Sequence, residues 1–205
     1  MGLLPRVTAP LFAKPYAWDD GDLTKNTRIL DFMVDHPGWF QVSTEPEARR
    51  AEFAATLFDP TSLTWEVWRG GEFVGILNLM QMQHPVDAIL HFVFLDHNLV
   101  GRRRFLHQFL TYCFEQLGFH RLTILIPEEV GVMVRFARRL GFRFEGENAI
   151  KEHPALALLG MNHPDTWVAR VGSRREQAQH LNGIYRDVLQ LRLLAAEHAA
   201  LAVGR

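Results

Sequence analysis

The stretch from Asp87 to Gly146 constrains the fold of this chain most, because short apolar runs alternate there with helical patterns. The run from Ala88 to Leu95 is rich in β-branched and aromatic residues, which is typical of a strand buried on both faces. A second run of this kind, Arg121 to Ile126, precedes a predicted helix over Glu128 to Leu140. The order strand, loop, helix, strand, helix therefore predicts a sheet flanked by helices.

The helix between the two apolar runs is predicted over Arg102 to Leu117. Apolar residues recur in it at three-and-four spacing, and Gly118 stands where a helix commonly ends. One side of the helix is therefore expected to face the core. The apolar positions are Phe105, Leu106, Phe109, Leu110, Cys113, Phe114 and Leu117.

The single cysteine of the chain, Cys113, lies on the apolar side of this helix. A disulfide within one chain is therefore excluded, and a reducing compartment is expected. A buried, unreactive thiol is favoured over a catalytic nucleophile, because the sequence nearby offers no residue that would activate it.

Charge and composition exclude several classes of partner. A formal net charge of −1 over 205 residues gives no electrostatic indication of nucleic-acid binding. Residues 1–20 contain three prolines and no continuous apolar run, so neither a signal peptide nor a membrane span is expected there. The histidines show no spacing typical of a metal site. We therefore expect a cytoplasmic protein without a membrane, nucleic-acid or metal partner.

An extended arm, two helices and a hairpin are predicted ahead of residue 87. Residues Thr44 to Glu47 form a capping box with proline in the first turn, which marks the start of the second helix. Gly70 and Gly71 separate two β-rich runs, which is a strong hairpin signal. The predicted elements are a strand over Val7 to Phe12, helices over Leu23 to Val34 and Arg49 to Leu57, and strands over Thr64 to Trp68 and Glu72 to Leu79.

The end of the chain differs in composition from the part that precedes it. A closing strand is predicted over Ala155 to Met161, paired with Phe142 to Glu145. From Arg174 to Ala202, apolar residues follow three-and-four spacing, which predicts a long amphipathic helix. We therefore divide the chain into a domain of residues 1–165 and a helical extension of residues 166–205. The apolar face of residues 174–202 must be buried, either against its own domain, or in contact with another copy of the chain in a homo-oligomer, or in contact with a protein partner.

This order of elements, together with the segment Arg138 to Gly146 that contains Leu-Gly-Phe, resembles the GNAT (Gcn5-related N-acetyltransferase) fold. The resemblance covers residues 5–165. It implies an α+β protein with a mixed, mostly antiparallel central sheet and flanking helices, here followed by the long C-terminal helix. Divergent members occur among proteins encoded by tailed bacteriophages, some of them associated with virions.

The resemblance also implies a binding site for acetyl-CoA between the fourth and fifth strands. The helix that follows would receive the pyrophosphate, because the N–H groups of its first turn have no helical partner and its dipole favours an anion. Of the family's glycine signature only Gly101 matches outright, and Arg103 stands where a small residue is expected. The implied cofactor-binding residues are Phe92, Val93, Phe94 and Leu95 on the strand, and Val100, Gly101, Arg102, Arg103 and Arg104 at the helix start.

The catalytic groups usual in this family are largely replaced. Ala137 stands at the position of the tyrosine that often protonates the departing thiolate, and Leu125 stands where a glutamate is frequent. Asp87 and His91 remain as candidate bases on the fourth strand. They are expected on the same face of the sheet, because side chains alternate every two residues along a strand. Each residue also has a structural alternative. Asp87 would then be a turn residue, and His91 would be a hydrogen-bonded histidine at the edge of the core.

Two functions follow from these observations. The first is acetyl transfer from acetyl-CoA to the amine of a small molecule or a protein. The base that deprotonates the amine would be a protein side chain or a water held by the backbone. The second is a catalytically inactive GNAT-fold protein that assembles through residues 174–202, located in the virion if it is phage-encoded.

Overall fold

The computed structural model describes residues 9–16, 23–35, 46–95, 101–127, 130–145, 174–181 and 184–203. Its helices are α1 (Leu23–Asp35), α2 (Pro46–Phe58), α3 (Arg102–Glu115), α4 (Gly131–Leu140) and α5 (Ala195–Val203). Its strands are β1 (Leu11–Pro15), β2 (Leu63–Arg69), β3 (Glu72–Gln83), β4 (Asp87–Phe94), β5 (Arg121–Pro127), β6 (Arg143–Phe144), β7 (Arg174–Leu181) and β8 (Ile184–Leu194).

The described strands form one sheet in the order β1-β2-β3-β4-β5-β8-β6, and β7 pairs with β8 off this path. Neighbours are antiparallel except β4 and β5, which run parallel because α3 connects them. The predicted α+β class with a mixed, mostly antiparallel sheet is confirmed. The predicted hairpin is confirmed as well, with positive φ angles at Gly70 and Gly71 in the turn between β2 and β3.

Each face of the sheet has its own hydrophobic cluster, because side chains alternate along every strand. Leu77 and Leu90 pack with Phe109 and the other core residues of α3 and α4, and we call this side the α3 face. Ile76 and Val93 pack with the core residues of α1 and α2, and we call the other side the α1 face. Two helical layers thus enclose the centre of the sheet.

The prediction of a long amphipathic helix over Arg174 to Ala202 is wrong for residues 174–181 and 184–194. Arg174–Leu181 forms β7 and Ile184–Leu194 forms β8, and in the described part of this segment only Ala195–Val203 is helical. The leucines Leu189, Leu191 and Leu193 alternate with polar residues and are fully buried on the α3 face. A period of two, which buries this face against α3 and α4, therefore overrides the weaker three-and-four spacing in the same segment.

The strand β8 lies between β5 and β6, so residues 184–194 belong to the same sheet as residues 63–94. Arg143–Phe144 pairs with β8, while the predicted partner strand over Ala155 to Met161 lies outside the described residues, so that pairing stays a prediction. The predicted boundary between residues 165 and 166 lies outside them too, and the division into two units stays a prediction.

The C-terminal helix packs closely on the end of α4. Gly141 has a φ angle of 104°, and a Cβ atom there would overlap the side chain of Leu201. His198 is buried, and the centre of its ring lies 5.2 Å from the centre of the Phe114 ring on α3. Within the described ranges, no helix is long and apolar enough to cross a membrane.

The predicted burial of Cys113 is confirmed. The side chain is fully buried in the core beneath α3, and burial raises the pKa of its thiol from 9.0 to about 12. A protonated, inaccessible thiol is a poor nucleophile, so the structural interpretation of this residue is the one that the geometry favours.

This raised pKa makes stability depend on alkaline pH. Above pH 9 the thiol ionises in the unfolded chain while the buried thiol stays protonated, so rising pH favours unfolding until the folded pKa is reached. Between pH 9 and pH 10.5 we expect the native protein to lose about 2 kcal/mol more unfolding free energy than Cys113→Ala. Urea unfolding of both proteins measures this, and parallel pH profiles would contradict it.

Candidate active site

The two parallel strands β4 and β5 separate after three residues. Residues 87–89 pair with residues 121–123, and no further pair joins the two strands. Among the described strands, β4 pairs beyond Ile89 only with β3, and β5 pairs beyond Thr123 only with β8. A gap therefore opens between Leu90–Phe94 and Ile124–Pro127, in the middle of an otherwise continuous sheet.

The backbone of β4 presents alternate residues to this gap. The N–H of Leu95 donates to the carbonyl of Val74 on β3 over 2.7 Å. Because bonded and non-bonded pairs alternate in an antiparallel ladder, Val93 and His91 also bond to β3. The N–H and C=O groups of Phe92 and Phe94 point the other way, into the gap, where no described strand pairs with them.

Gly75 keeps β3 and β4 close at this point. It pairs with Phe94, and a Cβ atom on it would overlap the carbonyl oxygen of Val93. Any larger residue would push the two strands apart, so Gly75 fixes the position of the β4 backbone at the edge of the gap.

The first turn of α3 lies just beyond the end of β4. Gly101 precedes the helix with a φ of 79°, and the turn contains three arginines and no acidic residue. The Arg102 guanidinium stacks 4.8 Å from the centre of the Phe94 ring, which ties the helix start to the strand. Arg103 and Arg104 are exposed, and neither forms an ion pair with a described residue. Val100 lies outside the described residues.

Helix α4 covers the α3 face of the gap. The rings of Phe136 and Phe92 meet edge-on with their centres 6.1 Å apart, and Met133 packs against the same core. Ala137, at the position of the expected tyrosine, is fully buried. No hydroxyl group therefore approaches the gap from this position.

The structure gives the two candidate bases different surroundings. The Asp87 carboxylate accepts hydrogen bonds from Arg121 at 2.6 Å and from the Thr123 hydroxyl at 3.1 Å, at the closed end of the β4–β5 pair. Its hydrogen bond is the main reason why the pKa of Arg121 is raised. His91 lies four residues further along, about 13 Å away, beside the gap on the α1 face.

Three polar residues that the sequence alone does not single out share the α1 face with His91. The side chains of Thr64 and Asn78 are buried, and Tyr16 is half-buried. Asn78 interrupts the apolar run from Phe73 to Met80, which is a detectable signal. The alignment of Thr64 and Asn78 with His91 depends on strand register, which the local sequence does not contain.

A part-buried ion pair lies next to these residues. Glu66 is 1% exposed, and its carboxylate accepts hydrogen bonds from Arg28 of α1 at 2.6 Å and from the Trp68 indole at 3.0 Å. The Arg28 guanidinium also stacks 4.9 Å from the centre of the Trp68 ring. These contacts fasten α1 to the sheet beside the candidate site.

Comparison with known proteins identifies the fold. No family model and no curated protein sequence matches the chain. Among solved structures it is similar to spermidine N-acetyltransferase SpeG from Vibrio cholerae in complex with CoA and spermine, with 14% identity, a TM-score of 0.60, and 91% and 98% of the two chains covered.

Other structures of the same enzyme match equally well. The complex with manganese ions is 15% identical with a TM-score of 0.61, covering 94% of this chain and 97% of the other. A point mutant of the enzyme is 13% identical with a TM-score of 0.62, covering 94% and 98%. The chain therefore has a GNAT-like fold, which confirms the fold predicted from sequence.

The contacts of Asp87 indicate a structural contribution that can be measured. In Asp87→Asn, Arg121 loses the closer of its two charged partners and keeps only Glu145 at 3.7 Å, so we expect the free energy of unfolding to fall by about 1–2 kcal/mol. Glu72→Gln, an exposed acid with no ion pair among the described residues, is the matched control and should change stability by less than about 0.5 kcal/mol. Urea unfolding compares them, and equal stability of the two variants would contradict this role.

Proposed function

We propose that this protein is an N-acetyltransferase that transfers the acetyl group of acetyl-CoA to an amine. The observation that carries the proposal is the gap between β4 and β5, with the backbone groups of Phe92 and Phe94 directed into it. The similarity in fold to SpeG, a structure of which contains CoA and spermine, supports the proposal.

The gap suits the pantetheine arm of the cofactor. Pantetheine is an extended chain with two amide groups, so it can hydrogen-bond along Phe92 and Phe94 as an added strand would. Val93 and Leu95 hold this edge in place through their bonds to β3. An N–H of the edge that meets the thioester carbonyl would stabilise the negative charge that develops on its oxygen.

The first turn of α3 suits the phosphates. The N–H groups that open a helix have no partner within the helix, and together with the helix dipole they favour an anion. Three arginines at a helix start oppose that dipole unless an anion is bound. We assign the phosphates to Val100, Gly101, Arg102, Arg103 and Arg104. The family's signature has a small residue at the position of Arg103. The Arg103 side chain is exposed, so its bulk lies outside the core.

The chemistry requires a deprotonated amine. The amine nitrogen attacks the thioester carbonyl carbon, the carbon–sulfur bond breaks, and the CoA thiolate takes up a proton. We assign the base to His91, which lies beside the gap and whose neutral imidazole can accept a proton. Asp87 is the weaker candidate, because Arg121 and Thr123 occupy its carboxylate. Because Ala137 carries no hydroxyl, the proton for the thiolate comes from solvent.

The acceptor is the amine of a small molecule or a protein. Spermidine is the first compound to assay, because the structural neighbours are named for it. Under this proposal the protein works in the cytoplasm, in keeping with its single, unreactive cysteine.

The second candidate is an inactive GNAT-fold protein with a role in an assembly, such as a phage virion. The alanine at position 137 and the incomplete glycine signature favour it. Assembly through a helix over residues 174–202 loses its physical basis, because Leu189, Leu191 and Leu193 are buried inside the sheet. An oligomer formed through another surface would still fit this candidate.

Cofactor binding distinguishes the two functions. We expect isothermal titration to show binding of CoA and acetyl-CoA at millimolar concentration or below. Replacing both Arg103 and Arg104 with alanine should weaken binding about tenfold, because two charges near the phosphates are lost. Arg139→Ala, an exposed arginine at the far end of α4, is the control. Absence of both heat and a thermal shift with either ligand would contradict the proposal.

A further inference from the structure

A row of polar side chains crosses the α1 face of the sheet, with one residue from each of four neighbouring chain segments. The N–H of Tyr16, just after β1, donates to the carbonyl of Thr64 over 2.8 Å. Thr64 pairs directly with Asn78, and Asn78 pairs directly with His91. Side chains of directly opposed residues on one face are neighbours. We call Tyr16, Thr64, Asn78 and His91 the polar row.

Two atoms of the polar row are buried without a hydrogen-bond partner among the described residues: the side-chain oxygen of Asn78 and the hydroxyl of Tyr16. Asn78 is only 1% exposed. Buried polar atoms are almost always hydrogen-bonded, and an acceptor left unsatisfied opposes folding. A ligand that donates a hydrogen bond would satisfy the Asn78 oxygen.

The charges around the row favour a donor. Burial raises the pKa of Tyr16 most, the negative charge of Glu66 raises it further, and the positive charge of Arg28 lowers it by less. At this hydroxyl the negative charge of Glu66 therefore outweighs the positive charge of Arg28, to which it is paired. A negative potential attracts an ammonium group or the N–H of an amine and repels a carboxylate or phosphate.

The row also leads to the proposed reaction centre. Its His91 end is half-buried and lies beside the gap between β4 and β5. A nitrogen held at Asn78 would therefore be one strand away from His91, which is the proposed base.

We propose that the polar row is the acceptor site, in which the Asn78 side-chain oxygen accepts a hydrogen bond from the attacking primary amine. This inference rests on the acetyltransferase proposal and adds a binding residue to it. The ligand class is a primary amine or its ammonium form. Asn78 contacts the nitrogen itself, while His91 removes its proton.

The binding test uses n-propylammonium chloride as the probe and needs neither cofactor nor turnover. Titrated up to 200 mM at constant ionic strength, it should shift the side-chain amide NMR signals of Asn78 in a saturable way. Tetramethylammonium has the same charge but no N–H, and it should not shift them. No saturable shift, or an equal response to tetramethylammonium or to propionate, would overturn the proposal.

The variant Asn78→Leu separates binding from folding. Leucine has a similar volume and no polar atom, so the thermal midpoint should stay the same or rise. The backbone amide signals of Thr64 and His91, which should respond to n-propylammonium in the native protein, should not respond in the variant. Its affinity for CoA should stay within twofold of the native value, because the gap is formed by backbone atoms of β4. A fall in both midpoint and CoA affinity would make Asn78 a structural residue and overturn the inference. Failure of the native protein to bind CoA would instead overturn the acetyltransferase proposal.

Discussion

The short pairing between β4 and β5 is the constraint on which the rest of the structure depends. Three residues of β4 are in register with three of β5, and the strands then part. The ion pair of Asp87 with Arg121 and the Thr123 hydroxyl bond hold the closed end together. The two sides of the open end are each held by an outer neighbour, β3 for β4 and β8 for β5. A sheet can keep such a gap only when both of its edges are supported in this way.

The C-terminal strand supplies one of these supports. Because β8 pairs along the whole length of β5, the edge of β5 that faces away from the gap is fully bonded. Its buried leucines also complete the core beneath α3 and α4, and Gly141 lets α5 approach the end of α4. A segment at the end of the chain therefore determines whether a site in its middle can exist.

The local sequence was sufficient for much of the fold and for little of the site. The α3 helix, the hairpin at Gly70 and Gly71 and the buried runs of β4 and β5 could be predicted, because periodicity and turn residues are local signals. Residues 184–194 could not, since leucines at two-residue and at three-and-four spacing coexist there and only the partner β5 selects the strand. The row from Tyr16 to His91 spans four segments, and its alignment exists only once their registers are set.

The proposed function requires that the backbone of β4 be open to a ligand at Phe92 and Phe94. Amide hydrogen exchange measured at single residues, with and without acetyl-CoA, tests it most directly. In the free protein, the amides of Phe92 and Phe94 should exchange faster than those of Val93 and Leu95, which bond to β3, and acetyl-CoA should slow the first pair selectively. Equal protection of all four amides in the free protein, unchanged by acetyl-CoA, would mean that the gap is closed and would contradict the account.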